Sequence, residues 1–160
     1  MELVVLVGLQ GSGKSTLYRE RYAETHALVS KDLLRRGGNK DERQRRRIEE
    51  AFAAGRSVVV DNTNVRREDR ARLLALARAH GARALCLYFP PDVRASLERN
   101  RRREGRARVP DVAIYTAAKR LEPPDRNEGF DELWLVRNRE GLPFALEAPV
   151  RSPPPEKPGL

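Results

Sequence analysis

The sequence predicts an α/β domain: a parallel β-sheet with helices packed against it. Three observations predict it. Short β-branched apolar runs alternate with amphipathic stretches, the pattern of βαβ units. The runs are apolar throughout rather than alternating, as in strands buried on both faces. Glycine or proline punctuates most of the junctions. A chain of 160 residues, 39% of them hydrophobic, fits one domain and can bury a core.

The elements follow in order. Glu2 to Val7 reads as the first strand, and Gly8 to Ser15 as a glycine-rich turn. Lys14 to Tyr22 reads as a helix, Ala27 to Val29 as a second strand and Ser30 to Leu34 as a helix start. Gly37 and Gly38 break the chain. Asp41 to Ala54 places Ile48, Ala51 and Phe52 on one helical stripe, and Gly55 ends it. Ser57 to Asp61 is the third strand. Arg66 to His80 turns Leu73, Leu74, Leu76 and Ala77 inward, with Gly81 as its stop. Ala84 to Phe89 is the fourth strand, ended by Pro90 and Pro91. Asp92 is placed to cap a helix carrying Val93 and Leu97. Asp111 to Leu121 is a further helix, and Glu132 to Val136 a last strand. The domain is expected to span 1–147. The proline-rich stretch 148–160 reads as an extended or disordered tail, either inert or a docking segment.

Composition narrows the function classes. The formal net charge is +9 and all but five of the 32 basic residues are arginine. Either an anionic partner such as a polynucleotide or a plain arginine bias on solvated helix faces accounts for that. The lone Cys86 excludes an internal disulfide, and it lies in an apolar stretch that reads as core. His26 and His80 lack metal-ligand spacing. No apolar run reaches the roughly 18 residues of a membrane span. The expectation is a cytoplasmic protein with no membrane and no required protein partner.

The strongest motif is Gly8-Leu9-Gln10-Gly11-Ser12-Gly13-Lys14-Ser15, which matches G-x-x-x-x-G-K-[ST] between a strand and a helix. The chemistry needs this pattern. Gly8, Gly11, Ser12 and Gly13 let successive backbone N–H groups point at phosphate oxygens, and the helix N-terminus adds partial positive charge. Lys14 is expected to reach the β- and γ-phosphates of ATP, Ser15 to ligate Mg²⁺ and Thr16 to touch the α-phosphate. This P-loop defines the fold class as P-loop NTPase-type. GTP specificity normally brings an Asn-Lys-x-Asp stretch, and Asn39-Lys40 is followed by Asp41-Glu42.

Asp32 and Arg35 follow the second strand, three residues apart, so a helical first turn would set them on one face. An acid there can accept a hydrogen bond from an attacking hydroxyl, and an arginine can stabilise a phosphoryl group in flight. A surface ion pair is the alternative. Asp61 ends an apolar strand, where an acid either orients Mg²⁺ or its waters or caps a turn. Asn62, Thr63 and Asn64 are turn formers. Arg99 and Arg103, four apart, read either as a phosphate clamp in an arginine-rich lid over 99–110 or as a solvated basic face.

These stretches, in this order, resemble the 5′-hydroxyl polynucleotide kinases, the kinase half of the phage and animal end-healing enzymes. The matching blocks are the P-loop, Ser30-Lys31-Asp32-x-x-Arg35 and Val58-Val59-Val60-Asp61-Asn62-Thr63-Asn64. They continue with Leu97 to Arg103, Val109-Pro110-Asp111 with Tyr115, and Glu128 to Leu133. The resemblance implies transfer of the ATP γ-phosphate to a 5′-hydroxyl end of DNA or RNA, with Mg²⁺. It implies that Asp32 is the general base and that Arg35 contacts the transferring group. It places Asp61 in the acceptor region with Asn62, Thr63 and Asn64, Arg103 in a lid over the phosphates, and Arg99 near the adenine. The sequence departs from the family in three ways. It has no room for the phosphatase domain of the better-known members. Lys31 stands where arginine is common. Tyr18, Tyr88, Phe89 and Tyr115 read as core or hinge residues rather than a platform for a nucleobase. A kinase for a small-molecule hydroxyl and a non-catalytic ATP-binding regulatory module are the alternatives.

Overall fold

The computed structural model describes residues 1–139 and 143–147; the expected tail at 148–160 lies outside them. Six strands form one sheet in the order β2-β3-β1-β4-β5-β6. They are β1 (Glu2–Val7), β2 (His26–Val29), β3 (Ser57–Asp61), β4 (Arg83–Tyr88), β5 (Glu132–Arg137) and β6 (Ala145–Glu147). The first five are parallel, and β6 pairs antiparallel with β5, Val136 opposite Leu146. The helices are α1 (Lys14–Arg21), α2 (Lys40–Ala53), α3 (Arg67–Ala79), α4 (Val93–Arg101) and α5 (Asp111–Arg120). Among the described residues, no helix is long and apolar enough to cross a membrane.

The β1 side chains explain the layering. Leu3, Val5 and Val7 join Ile48 and Phe52 of α2 and Leu73, Leu74 and Ala77 of α3 in one buried layer. Val4 and Leu6 face the other way, onto Leu17 of α1 and Phe144. Cys86 is buried in the first layer, and burial pushes its thiol pKa up, as the residue of an inert core position. A third cluster of Leu9, Val65, Leu97, Ile114 and Ala117 packs α4 and α5 against the end of the sheet.

Two expectations are corrected. The sheet does not end with the fifth strand: β6 is three residues long, and its pairing comes from main-chain register rather than side-chain periodicity. The helix expected from Ser30 is a single 3-10 turn, Lys31–Leu33, whose C-cap Leu34 is already extended at ψ 140°. Asp92 does cap α4, accepting from the Ala95 N–H at 3.0 Å.

Beneath the carboxyl edge, the Arg70 side chain is completely buried. Its Nη1 donates to the carbonyls of Asn64 and Val65, both at 3.0 Å. Its Nε and Nη2 donate to the two carboxylate oxygens of Glu128 at 2.7 and 3.1 Å. The clamp ties the turn after β3, where Asn64 sits at φ 47°, to the capping box at Asp125 and Glu128 that leads to β5. A charge pair buried this deeply is costly to break from one side. Glu128→Ala is expected to destabilise the domain by about 3–5 kcal/mol in urea unfolding. Replacing both partners with apolar residues (Arg70→Met with Glu128→Leu) should recover much of that loss. A double variant no more stable than the single one would refute the clamp.

Candidate active site

Three side chains hold the phosphate loop by its carbonyls. The buried Lys14 ammonium donates to the Gly8 and Leu9 carbonyls at 2.9 and 2.8 Å. Arg99 Nη1 on α4 donates to the Gly11 carbonyl at 3.0 Å. Asn138 Nδ2, just past β5, donates to the Ser12 carbonyl at 2.8 Å. With the carbonyls engaged, the N–H groups of Gly11, Gly13, Lys14, Ser15 and Thr16 meet no acceptor among the described residues. Ser12 Oγ is buried without a hydrogen-bond partner. This is a nest of donors at a helix N-terminus, and it fits a polyphosphate. The two fixed glycines have separate reasons. A Cβ on Gly8 would come within 2.9 Å of Phe89 Cβ, and Gly13 sits at φ +103°, where side chains are strained.

Asp61 meets the loop from β3. Its Oδ2 accepts from Ser15 Oγ at 2.7 Å, and the residue is buried. A hydroxyl and a carboxylate in contact beside the donor nest make a chemically suitable pair for Mg²⁺, which takes few protein oxygens and completes its shell with phosphate and water. Thr16 Oγ1 accepts from Arg19 Nη2 at 3.2 Å and so faces solvent.

Lys14 reports what else converges here. Its pKa is lowered to about 8, chiefly by burial. Asp61 and Asp32 oppose that shift and Arg103 adds to it, so all three charges act at the ammonium. Parallel β1, β2 and β3 bring the loop bearing Lys14 and Ser15, the turn bearing Asp32, and Asp61 to one end of the sheet. The reason is topological: parallel strands put their carboxyl ends on one edge.

Other predicted residues are arranged differently from expectation. Asp32 and Arg35 share no helical face, because the 3-10 turn stops at Leu33; both side chains are exposed and Arg35 lies in the following loop. Arg99 and Arg103 do not share a helix either, since α4 ends at Arg101. Arg103 Nη1 instead donates to the Ala107 carbonyl at 3.4 Å, inside the loop that follows. Arg99 grips the P-loop and also lines a cleft of about 490 Å³ with Ser12, Phe89, Pro91, Val93 and Asn138. Tyr18 and Tyr88 are core-facing, with Tyr18 Oη donating to the His26 carbonyl at 2.8 Å. Phe89 is buried, whereas Tyr115 is 56% exposed and is not a core residue.

The block after β3 is largely structural. Asn62 Oδ1 accepts from the Lys31 N–H at 2.9 Å, and its Nδ2 donates to Gln44 Oε1 at 2.6 Å. Thr63 gives its carbonyl to the Gly8 N–H at 3.0 Å. Asn64 Nδ2 donates to the Leu6 carbonyl at 2.8 Å. Asn62, Thr63 and Asn64 also line a cleft of about 590 Å³ between α2 and α3, floored by Ile48, Leu73 and Leu76. Its cations are matched by acids: Lys31 pairs with Asp41, which lowers the Asp41 pKa, and Arg72 pairs with Asp69 and Asp41 at 3.9 and 3.8 Å.

Four positioning residues were not legible as such. Asn138 is a lone asparagine after a strand, with no spacing to mark it. Gln44 did carry a signal, a polar residue on the Ile48 stripe of α2. Arg70 looked like one more arginine among many. Asn100 lay inside a matched block, but only the fold shows that it pins both backbone groups of Val109, at 2.7 and 3.0 Å, and so closes the base of the arginine-rich loop.

Lys14 gives a pH test. Phosphate favours the ammonium, so nucleotide binding raises the Lys14 pKa above its free value of about 8. Below that value the group is already protonated and affinity should be flat. Above it, binding must take up a proton, and ATP affinity should fall by up to about tenfold per pH unit. Titration calorimetry in buffers of different ionisation enthalpy reads that uptake directly. Pronounced proton release on binding would contradict it.

Known proteins place this geometry in a family. A family model described as an AAA domain matches residues 3–124. The bifunctional polynucleotide phosphatase/kinase of Schizosaccharomyces pombe is 29% identical over 147 residues, covering 89% of this chain and 34% of that protein. The chain thus spans about a third of the length of this curated relative. Kti12 of Chaetomium thermophilum, solved in complex with ADP-AlF3, is 20% identical with a TM-score of 0.64, over 83% of this chain and 87% of that one. A gluconokinase from Sinorhizobium meliloti is 21% identical with a TM-score of 0.60, over 84% and 81%. Both structural likenesses are likenesses of fold.

Proposed function

We propose that this chain, which belongs to the AAA domain family, is an ATP-dependent kinase that phosphorylates the 5′-hydroxyl end of DNA or RNA. The observation that carries the reading is the Ser15–Asp61 contact at 2.7 Å beside the donor nest and the buried Lys14, with Asp32 carried to the same sheet edge by the turn after β2. A nucleotide switch needs the loop and the Ser15–Asp61 pair. It does not need a second, exposed acid at the same edge of the sheet.

In this reading the phosphates of ATP lie in the N–H nest of the P-loop, and the 490 Å³ cleft beside Arg99 takes the base. Ser15 and Asp61 would hold Mg²⁺, which when bound neutralises charge on the β- and γ-phosphates. The acceptor hydroxyl hydrogen-bonds to the Asp32 carboxylate, which takes its proton as the oxygen attacks the γ-phosphorus. The bond from that phosphorus to the β–γ bridging oxygen breaks, and ADP leaves. Lys14 and Arg103 balance the charge that builds on the phosphoryl oxygens, and Arg35 swings in from its exposed loop to steady the group. The kinase unit spans 1–147 with its lid over 99–110.

The polynucleotide acceptor is supported by the likeness to the polynucleotide phosphatase/kinase of Schizosaccharomyces pombe and by the arginines around the lid. A small-molecule hydroxyl acceptor is the second reading. It is favoured by the 590 Å³ cleft beyond Lys31, whose cations are already paired with acids and which suits a neutral ligand.

Transfer of labelled γ-phosphate to 5′-hydroxyl DNA and RNA oligonucleotides, with a neutral sugar run in parallel, separates the two. Asp32→Asn is expected to lower kcat by about 10²-fold or more with ATP affinity unchanged. Full turnover in that variant would remove Asp32 from the chemistry. Transfer to the neutral sugar alone would move the acceptor to the second reading.

A further inference from the structure

We propose that the outer face of α5 is a stacking platform for the bases of a single-stranded nucleic acid acceptor, with Tyr115 at its centre. The inference rests on the polynucleotide reading above and adds to it where the strand runs beyond its accepting end.

The amphipathicity of α5 defines the face. Ile114 and Ala117 turn inward, in the cluster that includes Leu9 of the phosphate loop. Val112 and Tyr115, one turn apart on the opposite side, are 67% and 56% exposed, and Lys119 follows one turn later, also exposed. Only two other large apolar side chains among the described residues are comparably exposed, Met1 and Leu33. An aromatic and a branched aliphatic side chain left in water on one helical turn have no folding role to explain them.

Charge identifies the occupant. Exposed Arg101 ends α4, and the loop entering α5 carries exposed Arg106 and Arg108; none of the three forms an ion pair among the described residues. Asn100 fixes the loop's base through Val109, three residues before the exposed Val112. The stretch from 101 to 111 carries five arginines against the acids Glu104 and Asp111, and an exposed aromatic side chain following such an excess of cations is the combination that single strands use: bases stack on the ring, and phosphates track the cations. The cleft between α2 and α3 lacks that charge, because acids pair with its cations. The α5 face lies about one helix diameter, roughly 10 Å, beyond the phosphate loop. A nucleotide at the accepting end would not touch it, but those 3′ of it would.

The test compares a nucleoside 3′-monophosphate with a single-stranded 5′-hydroxyl oligonucleotide of about 12 nucleotides as acceptors. Tyr115→Ala should raise KM for the oligonucleotide by about 5- to 100-fold. Its kcat, its KM for ATP and its KM for the monophosphate should stay as in the wild type. Tyr115→Trp should retain the oligonucleotide KM, and its emission should be quenched on binding the strand in a salt-dependent manner. Arg106→Ala with Arg108→Ala should make the salt dependence of oligonucleotide affinity shallower, by about one unit of log–log slope per arginine. An unchanged oligonucleotide KM in Tyr115→Ala overturns the platform, as does an equal loss with both acceptors, which would mark a structural role. Emission of the Trp variant that shifts with protein concentration alone would make the face a self-association surface instead. Wild-type protein that phosphorylates only the monophosphate defeats this inference and leaves the kinase standing. Wild-type protein that phosphorylates neither defeats the kinase reading itself.

Discussion

The buried ammonium of Lys14 is the interaction on which the rest of the site depends. It donates to two carbonyls of its own loop, Gly8 and Leu9. A loop that turns its carbonyls toward an internal cation must turn its N–H groups the other way. Arg99 and Asn138 complete the inversion from opposite sides by taking the carbonyls of Gly11 and Ser12. The same burial that organises the loop depresses the lysine pKa. The group is therefore poised to gain from any phosphate that enters, because an anion relieves the cost of holding the charge out of water.

Around that loop the parallel sheet does the positioning. β1, β2 and β3 all end at one edge, so Ser15, the turn bearing Asp32, and Asp61 meet without long reaches of chain. Buried polar residues hold the periphery in place: Arg70 with Glu128 beneath the edge, Asn62 between Lys31 and Gln44, and Asn100 at the base of the arginine-rich loop. Each is buried or half-buried with its partners satisfied, the condition under which polar groups specify geometry rather than weaken a core. Arg35, Arg102, Arg106 and Arg108 are exposed, and Arg103 is half-buried. The contrast suits a site whose floor is fixed and whose charged arms close on a ligand.

Two kinds of surface are then separated in space. The cleft between α2 and α3 is apolar-floored and its charges are internally paired, which favours a neutral group. The loop before α5 carries exposed Arg106 and Arg108, which form no ion pair among the described residues, and the exposed face of that helix adds Lys119. In the proposed reading a strand would use the second and leave the first to whatever lies at its accepting end.

Most of the frame was legible in the sequence, because its signals are local. A β-branched apolar run such as Val58 to Val60 has few alternatives to a doubly buried strand. The spacing of Gly8, Gly13, Lys14 and Ser15 fixes a loop whose backbone is dictated by its own glycines. Asp61 could be singled out because a strand end next to that loop is a short list of positions. Where the chain had to choose between near-equal local structures, the sequence was silent or misleading. The segment from Ser30 makes one 3-10 turn rather than a helix, since the Lys31 N–H is drawn to Asn62 across the sheet. The helix carrying Arg99 stops short of Arg103, which changes a shared face into two separate roles. β6 exists only as a partner for β5, and Tyr115 could be told from a core residue only once Ile114 and Ala117 had taken the inner face of α5. The sequence by itself determined the loop, the strands and the chemistry that a phosphate would meet there. Only the tertiary structure decided which arginines, asparagines and tyrosines serve them, because burial and long-range hydrogen bonds, not neighbours in the chain, assign a polar side chain its partner.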